Sequence, residues 1–566
     1  MRLDAWIAYQ LLYAPLHKHF LIMTRRVSEE NASNSSLTRR VTKQGHLLLA
    51  ALATVFSAAT VASAKRPIQS RTVQLALVGF RLPATLATWL QLQVVCQVSR
   101  GEVLMSQIYR CFQRSLVITS LAIGVAAQGL AADKGVAVQS RVFFQDSANA
   151  TLYWADMIAG DNPTLSKPKL VEGFPKLDSE KQSLVQMRQA SGMLMVGVRD
   201  EEDGEFQSGW VLIDTGVREE EHGDHSHWYY EREPAVRASM LDDSQGNPAH
   251  MYCYDGVFYL ANDSKNGFTR LDPASIESND NAAAIQAKAA FHAGGGDHIT
   301  LAVCDGVAVS TWAGRDGENA GRIDVTPVSA SGASAVQHSF PLGYSGLHGA
   351  TAVGGKFFFA PSDGICWVNS GQLLKTAPND VKVHHLDLGK DGDVPRRTGS
   401  FTDHADHVLF VSGKGEATSL GIVRATDSEP EVRLISIPVK EGSRASGPIV
   451  VKPRKKTPLA FVFHDHAAGV DAANVATVFD LDPNGDGMFA DAKTSTQIDV
   501  GNSAVVGHSG HHDLAADAGG SFAWITNPGD QSLSVLSLKE MKIIGTHKLP
   551  CTPGHLLSIG GRGKKL

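Results

Sequence analysis

Asp297-His298-Ile299-Thr300-Leu301-Ala302-Val303-Cys304-Asp305-Gly306-Val307-Ala308-Val309-Ser310-Thr311 is the stretch whose reading decides the fold. Two short apolar runs, Ile299 to Val303 and Val307 to Thr311, flank an Asp-Gly pair, the pattern of a tight β-hairpin. A histidine stands just ahead of the first run. The order recurs along the chain, with His250, His298, His348 and His404 spaced by 48, 50 and 56 residues, each near an apolar run that a small turn divides. Gly447-Pro-Ile-Val-Val occupies the next position without a histidine, and His512 and His555 resume it. From about Val138 onward almost nothing shows a sustained 3.6-residue period; Ala282 to Ala290 and Asp471 to Ala476 are the exceptions, read as short helical turns.

An all-β chain with several strands per unit and a period near 50 predicts a β-propeller. Starting points near Leu184, His250, His298, His348, His404, Gly447 and His512 make seven blades. The terminal Pro553-Gly-His-Leu-Leu-Ser-Ile, paired with strands around Val142 and Leu152, would make an eighth, so the expectation is seven or eight. First strands of successive blades line a central channel. The repeat histidines are therefore expected to form one ring at one channel mouth.

The chain up to Ala132 differs from the rest: it carries 14 Lys plus Arg against 4 Asp plus Glu. Met105 opens a secretory-signal pattern, with Arg110 and Arg114 as the basic region, Leu116 to Ala127 as the apolar region and Gly129-Leu-Ala-Ala132 as a small-residue cleavage zone. Residues 1–104 are accordingly expected to be an over-extended gene model, disordered or not translated. Residues 105–132 are expected to be a signal peptide, and 133–566 the exported propeller. The exported part holds 38 basic and 54 acidic side chains, a net charge of −16, which argues against a nucleic-acid partner. No lipobox follows Cys111, which argues against a lipid anchor, and the protein is expected to be a periplasmic monomer. Cys253, Cys304, Cys366 and Cys551 allow two disulfides in three connectivities, Cys253 with Cys304 among the plausible pairs.

The chemistry concentrates at Glu219-Glu-Glu-His222-Gly-Asp224-His225-Ser-His227, followed by Trp228-Tyr-Tyr230: three imidazoles and four carboxylates in nine residues. Nitrogen and oxygen donors in that mixture suit a borderline divalent ion, above all Zn2+. The spacing fits no single helix face, so a flexible loop at 219–230 is expected, bent at Gly223 and anchored by the aromatics. This loop is expected to fold over the ringed channel mouth. The candidate metal ligands are His222, Asp224, His225, His227, His250, His298, His348, His404, His407, His511 and His512, for one or more zinc ions. His464-Asp-His466 is a further pair on one strand face. Asp482-Pro-Asn484-Gly-Asp486-Gly487 copies half of a calcium loop, but Lys493 stands where the closing carboxylate belongs, so a Gly-rich turn is expected and calcium is not.

Together, Asp214-Thr-Gly, His222-Gly-Asp-His-Ser-His-Trp-Tyr-Tyr, Asp297-His-Ile-Thr, Gly346-Leu-His-Gly and Gly510-His-His-Asp-Leu resemble the periplasmic zinc metallochaperones that are β-propellers. That resemblance implies zinc held by the mobile loop and by some of the channel histidines. It also implies delivery to the solute-binding protein of an ABC zinc importer, with no catalysis. The alternative is a metal-dependent propeller enzyme, a hydrolase, lactonase or oxidoreductase using channel histidines and an open coordination position.

Overall fold

Phe357, Phe358 and Phe359 are consecutive and all fully buried, which a strand with one wet face does not permit. In the computed structural model they lie on the strand Lys356–Phe359. Phe357 and Phe359 pack into one apolar layer and Phe358 into the layer on its other side. The sheets of this protein are thus stacked like the blades of a fan. Residues 73–74, 95–96, 137–200, 207–223, 225–328, 332–371, 373–439, 441–470, 472 and 474–563 are described.

The chain divides into two units, Met1–Ala131 and Ala132–Leu566. Of the first, the described part is an antiparallel pair, Val73–Gln74 with Val95–Cys96. The expected signal segment lies outside the described residues. The second unit is an eight-bladed β-propeller, so the larger of the two expected counts holds. Blade 1 joins the last strand, Pro553–Ile559, to Val138–Asp146 and Thr151–Ile158, with Phe144 opposite Leu556. Blades 2 to 8 begin with the inner strands Gln182–Ala190, Pro248–Tyr254, Leu301–Cys304, Ala350–Val353, Thr402–His404, Arg444–Ala445 with Ile449–Val451, and Leu514–Ala516. Each inner strand neighbours the next, and Pro553–Ile559 neighbours Gln182–Ala190, which closes the ring. Eight apolar layers separate the eight blades.

The hairpins form as their sequences require. Asp255-Gly256 and Asp305-Gly306 both have positive φ at the two turn residues, 50° and 75°, then 51° and 74°. That is the type I′ geometry, whose twist matches paired strands. Ala282–Gln286 is a helix as expected, whereas Val475–Asp480, overlapping the other expected turn, is a strand. The four cysteines of the propeller are free thiols. Cys304 is the last residue of its inner strand and Cys253 the last but one of its own, so they face different layers, Cys253 between blades 2 and 3 and Cys304 between blades 4 and 5, and the expected bridge has no geometry to form. Among the described residues no helix is long and apolar enough to cross a membrane.

One buried residue sets an acid limit on stability. His292 is 0% exposed, neither ring nitrogen has a hydrogen-bond partner, and the ring stacks on Phe268 at 5.3 Å. Burial, then the Arg270 charge, pushes it down to about 4 from its usual 6.5. A folded value below the unfolded one means stability that is full above pH 6.5 and lost as pH falls toward 4. His292→Leu should therefore raise the urea midpoint at pH 5 more than at pH 8, by a difference of about 2 kcal/mol. Equal changes at the two pH values would refute this account.

Candidate metal centre

Strand parity fixes which loops share an end of the propeller. Turns from first to second and from third to fourth strands emerge at one end; those from second to third, and from one blade to the next, emerge at the other. His298 and His348 lie in blade-to-blade connections and His250 near the start of its inner strand, so these three meet at one mouth. Their ring centroids are 4.6 Å apart for His250 and His298, 5.0 Å for His298 and His348, and 6.2 Å for His250 and His348.

Protein acceptors set two of the three rings. Asp263, in the second-to-third connection of blade 3, takes the Nδ1 proton of His298 on Oδ2 at 3.2 Å and the amide of Ile299 on Oδ1 at 3.0 Å. His348 donates Nδ1–H to the Gly399 carbonyl at 3.0 Å. Both therefore leave Nε2 unprotonated, the tautomer in which metal-binding histidines are held, and that of His298 faces His250. Although no carboxylate stands near His348 in sequence, a backbone carbonyl 51 residues on does the orienting. His250 is different. The Gln186 amide, pinned because its oxygen accepts from Met251 N at 3.1 Å, faces His250 Nδ1 at 3.4 Å. His250 then carries its proton on Nε2 and donates it to His298 Nε2, 2.9 Å away. Burial, followed by the neighbouring His298 and His348, pushes His250 down to about 3, so that ring stays neutral.

Among the described residues, no group of three or more His, Cys, Asp or Glu stands in place around an ion. Two imidazoles on a tetrahedral zinc keep their nitrogens about 3.3 Å apart, while those of His250 and His298 are 2.9 Å apart with a proton between them. To ligate an ion through Nε2, His250 would have to part from His298 by a few tenths of an ångström and carry its proton on Nδ1 instead, the nitrogen that the Gln186 amide now faces.

The expected loop is instead a β-ribbon, Val217–Glu221 paired with Ser226–Tyr230. Gly223, at φ +77° with no atom near its missing side chain, turns it. Alternation puts Trp228 and Tyr230 against the blade 1–2 layer, and the Tyr230 hydroxyl donates to Gly561 O at 2.8 Å. Tyr229 lies on the other face, under Arg218. At the tip the rings of His222, His225 and His227 stand 4.6 to 5.6 Å apart, with His222 Nε2 3.3 Å from Glu220. Asp224 lies outside the described residues.

The ribbon does not cover the His250 cluster. It joins the third and fourth strands of blade 2, and Thr215 at its root donates to Gly192 O in the first-to-second turn at 3.1 Å. By parity it is rooted at the opposite end of the propeller. The single histidine ring fails for the same reason. His404 ends its inner strand and faces His407 across the first-to-second turn of blade 6, again at the far end. His407 is buried, 2.8 Å from Asp406 through Nδ1 and bonded to Met488 O through Nε2, with its ring on Phe489. Such a side chain locks the blade.

His512 shares the mouth of the cluster but is also engaged inside the fold. Its Nδ1 meets Asp465 Oδ1 at 2.6 Å and its Nε2 the Gly501 carbonyl at 2.9 Å. Asp465 Oδ2 holds His511 Nδ1 at 3.0 Å, leaving the half-exposed ring with its Nε2 outward. Asp513 orients His555 in the same way at 3.3 Å. In all three cases one carboxylate takes a histidine Nδ1 and the next residue's amide: Asp263 with Ile299, Asp465 with His512, Asp513 with Leu556. His464 and His466 are bonded to Thr477 and to Asn474. The Asp482 to Gly487 segment is a turn between strands, closed by its own side chains on Gly487, Asp486 and Met488 amides. The carboxylate Asp263 and the acceptor Gly399 were not legible in the sequence, where each stands far from the histidine it serves.

No protein-family model and no curated protein sequence matches the chain. Among solved structures it is similar to AztD from Citrobacter koseri, at 16% identity with a TM-score of 0.51 over 75% of this chain and 99% of that one. A structure of apo AztD from the same organism gives 15% identity and a TM-score of 0.50 over the same shares. At that identity the likeness establishes the fold.

Proposed function

We propose that the protein is a zinc carrier of the bacterial periplasm, which holds Zn2+ at two stations and passes it to the solute-binding protein of an ABC zinc importer. The observation that carries this reading is the cluster of His250, His298 and His348, in which two rings have Nδ1 fixed on acceptors and Nε2 left unprotonated. The ribbon imidazoles His222, His225 and His227 form the other station. A β-propeller is the fold the sequence resemblance implied, and the exchangeable imidazole donors suit transfer, since one ligand at a time can be replaced by an acceptor's. Asp263, the carboxylate in contact with the cluster, uses both oxygens on His298 and Ile299, which supports a carrier over a hydrolase that needs a poised base.

The test is metal analysis of the processed, untagged protein, a zinc titration against a chromophoric chelator, and then transfer to a periplasmic zinc-binding protein. Tight binding followed by transfer faster than release to solvent is expected. Failure to bind zinc, or chelator-sensitive turnover of esters or lactones, would overturn the reading. Because the stations lie at opposite ends, a His222/His225/His227 triple alanine variant should lose zinc stoichiometry while the remaining affinity is unchanged within about twofold. A loss of all tight binding in that variant would show that the stations are one.

A further inference from the structure

Blades 3 and 8 carry the same device after their second strands. An asparagine leads into a 3-10 turn, and a left-handed residue, Asn266 at φ 49° or Gln531 at φ 47°, closes it before the third strand. Each asparagine is buried and reaches a hydroxyl on that third strand, Asn262 Nδ2 to Thr269 Oγ1 at 2.8 Å and Asn527 Nδ2 to Ser534 Oγ at 2.9 Å. Beside each lies a groove shared with the outer strand of the preceding blade, about 310 Å³ between blades 2 and 3 and about 290 Å³ between blades 7 and 8. Both stand near the small end of the range for ligand sites, roughly 300–1,000 Å³.

The two grooves differ at two points. Asn527 Oδ1 accepts the Gly501 amide at 3.0 Å, whereas Asn262 Oδ1, on a residue 1% exposed, has no hydrogen-bond partner among the described residues. A buried amide oxygen left unmet calls for a donor. Opposite Ser534 stands Thr546, whose hydroxyl bonds back to Ser534 at 3.2 Å; opposite Thr269 stands Phe291, 40% exposed. The blade 8 groove thus satisfies its own polar groups. The blade 3 groove offers a free acceptor and an exposed aromatic ring, with Met240, Gln245 and Lys265 on its walls.

We propose that the groove between blades 2 and 3 binds a saccharide, one pyranose ring lying with its C–H face on Phe291 and a hydroxyl donating to Asn262 Oδ1. A sugar fits because it joins an apolar face to hydroxyls on one small ring, and a hydroxyl serves an amide whichever way round the amide stands. Gln245 and Lys265 carry polar groups for the remaining hydroxyls. This site is independent of the zinc reading.

The experiment uses the full chain in the presence of a chelator, with methyl β-D-glucopyranoside and N-acetyl-D-glucosamine as probes and triglycine as the comparison, read by saturation-transfer NMR. At least one sugar should bind saturably with a dissociation constant on the order of 1 mM, and triglycine should not. Phe291→Thr, which installs the residue found in blade 8, should weaken the sugar by about tenfold, while Phe291→Tyr should stay within about threefold. Asn262→Leu combined with Thr269→Val removes the amide together with its hydroxyl partner, so the fold keeps no orphaned group, and should abolish saturable binding. Absence of binding by both sugars, an equal signal from triglycine, or binding unchanged in Phe291→Thr overturns the proposal.

Discussion

His298→Ala should weaken zinc binding at the cluster by on the order of 100- to 1,000-fold, the share of one of a few ligands in a site of ordinary zinc affinity. If the cluster holds zinc as proposed, His298 should matter most of the three, because its Nε2 is both pre-oriented by Asp263 and adjacent to His250 Nε2. Asp263→Asn should cost less, about 10- to 100-fold, since it leaves the ligand in place and disturbs only its orientation and basicity. The ordering of these two variants is the informative result. Chelator competition would measure it, with the ribbon histidines removed. An Asp263→Asn effect as large as that of His298→Ala would mean that the carboxylate itself ligates the ion.

Asp465→Ala should destabilise the propeller by about 3–5 kcal/mol, measured as a loss in urea midpoint, because it strips a buried charge network of its central member. Asp465 is 2% exposed and holds His511, His512 and the His512 amide across the blade 7–8 junction. Burial alone would raise its carboxyl, but the hydrogen bonds from the two histidines outweigh burial and hold it down to about 2. A folded value below the unfolded one gives stability that is present above about pH 4 and lost as pH falls toward 2. The wild-type protein should show that loss and the alanine variant should not. Zinc affinity of the His250 cluster should be unchanged in the variant, which separates this junction from the proposed metal site.

Much of the fold was legible because each blade repeats a local pattern. The Asp-Gly hairpins, the apolar runs and the period near 50 all come from neighbours in sequence, and they locate the inner strands at His250, His298 and His348 within a few residues. The eighth blade needed long-range pairing, since Pro553–Ile559 must find Val138–Asp146 across almost the whole chain. The site was legible only in part. His250, His298 and His348 were marked by the repeat, but so were His404 and His512, which the same repeat places beside equally similar strands.

What separates them is direction. His404 is the last residue of its inner strand, at the turn end of its blade, whereas His298 stands three residues ahead of its own strand, at the mouth. The composition of residues 219–227 by itself determined a segment rich in metal donors, and the repeat by itself determined a propeller. Only the tertiary structure decided that the ribbon and the His250 cluster lie at opposite ends. The physical reason is that antiparallel strands alternate ends: a connection between third and fourth strands cannot emerge where blades join, however close the two are in sequence.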